Sequence, residues 1–174
     1  MIGNEVTVNQ ERYEKISNWF LEKEIRYKLL KLCYSLLPVL VGVIYAGIMA
    51  AAFLFMEMDV VGKVKVVLVP GVTFAICTIF RHLIDEKRPY EKMDIVPLIK
   101  KDKRGQSFPS RHVLSAAVIA VSGFYVNFYA GMVLSLLTIL IAVIRPVAGV
   151  HYIRDVLAGM ALGVICGYVG FFVI

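Results

Sequence analysis

Five long apolar segments dominate the sequence and restrict the folds it can adopt. They cover roughly residues 30–57, 66–84, 110–126, 131–145 and 152–174. The chain is 59% hydrophobic and 18% charged, whereas a soluble domain is about 25% charged. A helix of about 20 apolar residues spans the ~30 Å hydrocarbon core of a bilayer. The sequence therefore predicts an all-α integral membrane bundle of about five transmembrane helices, forming one domain over residues 1–174.

The N-terminal segment differs from the rest of the chain. Residues 7–28 are polar and mixed in charge, with large apolar side chains at roughly helical spacing, Trp19 among them. This pattern predicts an amphipathic helix within residues 1–28 that lies at the membrane surface with Trp19 as an interfacial anchor. A cap packed on the bundle is the alternative. The first residues lack the basic start and early apolar core of a signal peptide.

Small residues mark one face of the last apolar segment. Gly159, Gly163 and Gly167 recur at intervals of four, which places them in one row along a helix. Such a row lets two membrane helices approach closely. We therefore expect this face to pack directly against a neighbouring helix.

The charges and cysteines narrow the classes of partner. The formal net charge is +6 at pH 7, but the basic residues flank the apolar segments. Anionic lipid headgroups or a phosphate substrate fit this distribution better than nucleic acid does. Cys33, Cys77 and Cys166 lie inside apolar segments without metal-ligand spacing, and they are interpreted as small buried hydrophobic residues.

A polar connection at residues 85–108 separates the second apolar segment from the third. It is long for a structureless loop, and such loops are usually functional. Counting spans brings this loop to the same membrane face as the start of span three, the end of span four and the start of span five. That face then collects eight polar side chains that are candidates for a site: Arg81, Arg88, Ser110, Arg111, His112, Arg145, His151 and Asp155.

These residue types suit phosphate chemistry. Arginine offers forked donors that match phosphate oxygens, and Ser110 is a candidate N-cap whose helix amides form an anion site. His151 and Asp155 are four residues apart and would share one helix face, so the carboxylate could orient an imidazole nucleophile. His112 could protonate a leaving alkoxide. The plainer interpretation is a set of capping charges at helix ends.

A second basic cluster lies within the loop. Residues 100–104 read Lys-Lys-Asp-Lys-Arg. We interpret this run as a solvated loop segment, and the alternative is that it draws anionic lipid toward the site.

Three motifs in this region resemble the signature of the type 2 phosphatidic acid phosphatase (PAP2) superfamily. They are Arg81-x6-Arg88-Pro89, Phe108-Pro-Ser-Arg-His112 and Arg145-x5-His151-x3-Asp155. The family pattern is Lys-x6-Arg-Pro, Pro-Ser-Gly-His and Ser-Arg-x5-His-x3-Asp. The motifs cover roughly residues 81–155, in the family's order and with its internal spacing.

The resemblance implies roles for individual residues. His151 would form a phosphohistidine, Asp155 would orient it, and His112 would protonate the leaving group. Phosphate-binding positions would be Arg81, Arg88, Ser110 and Arg145, and no metal or other cofactor is implied. Arg81, Arg111 and Ile144 stand where the family has Lys, Gly and Ser. At the Gly position a positive φ would strain Arg111, or Arg111 could contact a phosphate itself.

The combined prediction is an integral-membrane lipid phosphatase. Its substrate would be a lipid phosphomonoester or diphosphate, such as undecaprenyl diphosphate, phosphatidic acid or phosphatidylglycerophosphate. A non-catalytic lipid-phosphate-binding protein is the alternative. The excess of Lys and Arg at the motif face favours a cytoplasmic site by the positive-inside rule. The family resemblance implies an extracytoplasmic site in a bacterial-type plasma membrane, which we adopt as the expectation. The oligomeric state is left open.

Overall fold

A computed structural model describes the backbone of residues 2–174 and the side chains from Gln10 onward. The helices are α1 (Ile2–Leu21), α2 (Glu24–Leu54), α3 (Val60–Ile84), α4 (Pro89–Lys92), α5 (Arg111–Val126), α6 (Phe128–Val147) and α7 (Ile153–Tyr168). A π-helical segment, Val169–Val173, continues α7. Residues 2–174 contain no β-strand.

Four helical stretches are long and apolar enough to cross a membrane: Glu24–Leu54, Val60–Lys92, Phe128–Val147 and Ile153–Val173. The fifth apolar helix, α5, has only 16 residues, about 24 Å at ~1.5 Å per residue. It packs against α2, α3, α6 and α7, and Val113 and Val118 are completely buried. The surrounding helices expose large apolar side chains on their outer surfaces, as helices in contact with lipid do. The predicted all-α membrane bundle is confirmed, with its shortest apolar helix at the centre.

The N-terminal helix ends earlier than the sequence pattern predicted. Helix α1 ends at Leu21, and α2 begins at Glu24 after a short turn. The prediction of one helix over residues 7–28 was therefore wrong. Glu24 and Lys28 form an exposed ion pair of 2.7 Å within the first turns of α2, so this helix begins in polar sequence before its apolar part.

Helix α1 packs on the polar connection. The buried Tyr13 hydroxyl accepts a hydrogen bond from the Leu98 amide at 2.9 Å and donates one to the Val96 carbonyl at 3.3 Å. Trp19 is half-exposed, and the Arg26 guanidinium lies 3.9 Å from the centre of its ring. The contacts of Tyr13 fit the alternative in which this segment packs on the bundle as a cap. The role of the exposed Trp19 as an interfacial anchor stays a prediction.

The glycine row of α7 faces α5, as expected. A Cβ atom on Gly159 would lie 2.6 Å from the Ser110 carbonyl oxygen, and one on Gly163 would lie 2.5 Å from that of Leu114. Gly167 also faces α5, where a Cβ atom would lie 2.8 Å from the Cβ atom of Val121. Because no side chain separates the two backbones, the start of α7 is held against the start of α5.

Helix α6 ends in a Schellman motif that positions the residues after it. The Gly149 amide donates to the Pro146 carbonyl at 2.9 Å, and the Val150 amide donates to that of Arg145 at 3.4 Å. Gly149 has φ of 77°, a left-handed conformation that glycine adopts without strain. The chain therefore reverses directly before His151.

Candidate active site

The ends of four apolar helices and the 85–108 loop meet at one membrane face. The Ser110 amide, at the start of α5, donates to the Asp155 carbonyl in the first turn of α7 at 2.8 Å. Arg81, in the last turn of α3, donates to the carbonyls of Pro109 and Gln106. Arg88 of the loop donates to the Val150 carbonyl that follows α6 at 3.2 Å. The convergence expected from the span count is present.

His151 and Asp155 are adjacent, although not through the geometry that their spacing suggested. His151 precedes α7, whereas Asp155 lies in its first turn. The Asp155 Oδ2 atom accepts a hydrogen bond from the Tyr152 amide at 3.0 Å, so it caps its own helix. His151 Nδ1 lies 3.5 Å from the same oxygen. The prediction of two residues on one helix face was therefore wrong, and the N-terminal turn of α7 brings them together.

Ser107 completes this arrangement, and the sequence interpretation missed it. Its hydroxyl donates to Asp155 Oδ2 at 2.5 Å and lies 3.5 Å from His151 Nδ1. The side chain is completely buried. Its one sequence signal is its place directly before the Phe-Pro-Ser motif, and nothing in its spacing connects it to Asp155.

The surroundings of His151 keep its ring neutral. The imidazole is 4% exposed, and burial lowers its pKa to about 4 because the protein interior disfavours the cation. The hydrogen bond that the ring donates to Asp155 opposes this shift, and the nearby Arg88 charge adds to it. At neutral pH the Nε2 atom, which is turned away from Asp155, can therefore offer a lone pair.

Two of the predicted phosphate-binding arginines are engaged with the backbone of the loop. Arg81 is 4% exposed and bonds the two carbonyls named above. Arg88 is 3% exposed, and its Nε atom donates to the Gly105 carbonyl at 3.0 Å. The Arg88 and Gly105 amides both donate to Glu91 Oε2 at 2.8 Å. These contacts tie the two ends of the loop to each other.

Arg145 has different surroundings. It is 2% exposed, and its Nη1 atom has no hydrogen-bond partner among the described residues. Its guanidinium lies 4.2 Å from the centre of the Tyr34 ring of α2. The Tyr34 hydroxyl is also buried without a partner there. An unpartnered buried donor is costly, and a bound anion would satisfy it.

The Pro-Ser-Arg-His segment forms the start of α5. Ser110 is the N-cap residue, yet its hydroxyl makes no capping bond and has no partner among the described residues. Arg111 has a helical backbone without positive φ, so it stands in place of the family glycine without strain. Its guanidinium lies 5.0 Å from the centre of the Phe74 ring. His112 is half-buried, one position further along the helix.

The basic run in the loop is not uniformly solvated. Lys101 is half-buried, and its Nζ atom lies 5.5 Å from the centre of the Tyr34 ring. Burial, followed by the charges of Arg145, Arg88, Arg111 and Arg81, lowers the pKa of Lys101 to about 8. The prediction of a solvated segment is therefore wrong for this residue, because the loop folds back over the arginine cluster.

Comparison with known proteins identifies the family. A profile of the PAP2 superfamily matches residues 62–173, well over half of the chain. A search of curated proteins found no match.

Two solved structures share the fold. One is the crystal structure of Aquifex aeolicus LpxE, whose sequence is 24% identical to this chain. The two structures align with a TM-score of 0.69, and the alignment covers 94% of each chain. The crystal structure of a transmembrane PAP2 type phosphatidylglycerolphosphate phosphatase from Bacillus subtilis is 21% identical, with a TM-score of 0.65 and coverage of 92% of this chain and 83% of that one. Since the profile match contains every motif of the site, the chain belongs to the PAP2 superfamily as an integral membrane protein.

Proposed function

We propose that this protein is a lipid phosphatase that hydrolyses a phosphomonoester or diphosphate through a phosphohistidine on His151. The observation that carries the proposal is the buried relay of Ser107, Asp155 and His151, together with the unpartnered Nη1 atom of Arg145. A carboxylate that orients a neutral imidazole suits a nucleophile, and an unpartnered guanidinium suits a phosphate. A pure binding site would need the cation without the relay.

A groove beside the site supports a lipid substrate. Its volume is about 300 Å³, and residues of three helices line it: Tyr45, Met49, Val67, Pro70, Gly71, Phe74, Ser115, Val118 and Ile119. The Arg111 guanidinium lies over the ring of Phe74, so the groove reaches Arg111 at the start of α5. An apolar tail in this groove would bring its phosphate to the start of α5.

In the first step, His151 Nε2 attacks phosphorus, and the bond from phosphorus to the leaving oxygen breaks. Asp155 accepts the hydrogen bond from Nδ1 and stabilises the positive charge that develops on the ring. Arg145 and the amides at the start of α5 stabilise the transferring phosphoryl oxygens. His112 donates a proton to the leaving oxygen.

In the second step, His112 accepts a proton from water, and the resulting hydroxide attacks the phosphohistidine. The bond between phosphorus and nitrogen breaks, inorganic phosphate leaves, and His151 returns to its neutral form. His112 regains the proton that it gave up in the first step, so the cycle is balanced.

The test is phosphate release from lipid phosphates in detergent with EDTA present. His151→Ala should abolish release, whereas His82→Ala should retain it, because His82 is exposed at the same membrane face outside the relay. A phosphate group trapped on the intact protein, stable to base and labile to acid, should be absent from His151→Ala. Equal turnover by His151→Ala would overturn the mechanism. No release from any lipid would favour the binding alternative.

We also propose that the active face is extracytoplasmic, as the family resemblance implies. In a chain without its three native cysteines, Asp102→Cys in the loop should react with an impermeant thiol reagent in intact cells. Glu57→Cys, in the exposed connection at the opposite face, should react only after the cells are permeabilised. The reverse pattern would place the active face in the cytoplasm.

A further inference from the structure

One glycine of α3 has no packing role. Glycine inside a helix is less stable than alanine, so its presence there needs a reason. A Cβ atom on Gly71 would have no neighbour within 4 Å beyond its own stretch of helix, and the residue has no positive φ. Gly159 and Gly163 of α7, by contrast, touch the backbone of α5. Neither close packing nor backbone conformation therefore accounts for Gly71.

Gly71 lies on one wall of the apolar groove described above. Val67, Pro70 and Phe74 line the groove from the same helix. Their spacings of three and four residues from Gly71 place all of them on one face of α3. The other members of this face present a side chain to the groove, whereas Gly71 presents none. It therefore forms a recess in this wall.

A hydrogen bond ties the facing walls of the groove together. Pro70 has no amide hydrogen, so the Val66 carbonyl one turn before it lacks its usual helical donor. The Tyr45 hydroxyl of α2 donates to that carbonyl at 2.5 Å instead. Tyr45 and Pro70 both line the groove. The separation of α2 and α3 is thus fixed at this depth, and a side chain at Gly71 would occupy the space between them.

The groove leads from Gly71 to the candidate active site. Phe74, which lies closer to the active face, carries the Arg111 guanidinium 5.0 Å from the centre of its ring. Ser115 lines the groove one helical turn below Arg111. Arg81 lies ten residues beyond Gly71 on α3, about 15 Å at ~1.5 Å per residue. Gly71 is therefore at the depth of a hydrocarbon tail when a phosphate is at the site.

From this arrangement we propose that Gly71 determines which lipids the site accepts, because it leaves room in the groove for a hydrocarbon tail of the substrate. The inference rests on the proposed phosphatase function. A tail that enters the groove passes Gly71 while its phosphate lies at the start of α5. A larger side chain at this position excludes the tail and keeps the phosphate of a long-chain lipid away from His151. A lipid with short tails avoids most of this conflict.

The experiment compares dioleoyl and dihexanoyl phosphatidic acid, which share a headgroup and differ in tail length, in detergent micelles. Gly71→Leu should lower kcat/KM for the long-chain lipid about tenfold more than for the short-chain lipid, since a single methylene in an apolar pocket already changes specificity this much. Gly71→Ala should change the ratio less, because a methyl group occupies less of the groove.

Gly42→Leu is the matched control. Gly42 of α2 is exposed, and a Cβ atom there would also have no neighbour within 4 Å, but it does not line the groove. This variant should leave the ratio unchanged. Neither leucine variant should lower the thermal stability, because leucine favours a helix more than glycine does. A folding defect is thereby separated from a change in specificity.

An unchanged ratio in Gly71→Leu, or an equal change in Gly42→Leu, would overturn the proposal. If the intact protein hydrolyses neither lipid, the phosphatase function is tested separately on the other lipid phosphates. Labelling by phosphatidic acid with a photoreactive diazirine on its tail then decides this proposal. The probe should label α3 and α5 along the groove, and Gly71→Leu should suppress this labelling. Labelling that persists in Gly71→Leu, or that phosphatidylcholine displaces as well as phosphatidic acid does, would overturn it.

Discussion

The two sides of the site use the same residue type in opposite ways. On the loop side, Arg81 and Arg88 donate to four backbone carbonyls and are almost completely buried. On the α2 side, Arg145 is just as buried, yet its Nη1 atom has no partner among the described residues. The first two arginines hold the loop in shape, whereas the third is available for a ligand. A motif alone does not distinguish these roles, and the partners of each guanidinium do.

The most direct way to break this comparison is to remove one arginine from each side. Arg145→Gln should reduce kcat/KM about 10²- to 10³-fold, as loss of a transition-state donor does, without lowering the thermal stability in detergent. Arg88→Gln should also reduce activity, but it should lower the free energy of unfolding by about 3 kcal/mol because two buried carbonyls lose their donor. Thermal unfolding and phosphate release measured on both variants check this. If both variants lose the same stability, the two arginines do not differ in the way proposed here.

Ser107 sharpens the comparison on the loop side, because it connects the loop to the relay. Ser107→Ala should reduce kcat about tenfold, since removal of one charged hydrogen bond costs this much. Without that donor, Asp155 stabilises the imidazolium more strongly, and the pKa of His151 rises from about 4. The acid limb of the kcat/KM profile should therefore move to higher pH.

Ser122→Ala is the matched control for Ser107→Ala. Ser122 is a second completely buried serine, whose hydroxyl has no partner among the described residues. This variant should leave both the rate and the profile unchanged. If the acid limb of the kcat/KM profile of Ser107→Ala does not move, Ser107 contributes only to packing.

The smallest expected effect concerns the α2 side. The pKa of Lys101 lies at about 8, lowered by burial and by the arginines Arg145, Arg88, Arg111 and Arg81. A cation that binds an anion is present below this pH and is lost above it. If the Lys101 ammonium contacts the substrate phosphate, kcat/KM should therefore fall a few-fold between pH 7 and 9, as one ionic contact predicts. Lys101→Arg should remove this fall, because arginine stays protonated. An unchanged alkaline limb in that variant would contradict the assignment.

The sequence predicted the membrane bundle well because hydropathy and length decide it. It also placed the eight candidate side chains at one membrane face, since that result needs only the number of spans. It misjudged the junction of α1 and α2, where the helix that becomes the first span already begins at Glu24 in polar sequence. Periodicity carries no information about such a junction.

Three further residues near the site, Tyr34, Ser107 and Lys101, could not be found from the sequence for a different reason. Tyr34 and Ser107 lie far along the chain from the residues that they contact, and Lys101 belongs to a run that reads as solvated. Their importance comes from long-range packing of the loop on α2, α6 and α7. No local spacing encodes that packing.

The glycine row of α7 has a consequence for how the protein tolerates substitution. Gly163 touches the backbone of α5 one turn below Gly159, which itself touches Ser110. A larger residue at Gly163 would push apart two helices whose upper ends carry His112 and Asp155. Loss-of-function substitutions should therefore extend down this seam into the lipid interior, away from any residue that meets the substrate. The spacing of the two helix ends that carry His112 and Asp155 thus depends on glycine packing deep in the apolar part of the bundle.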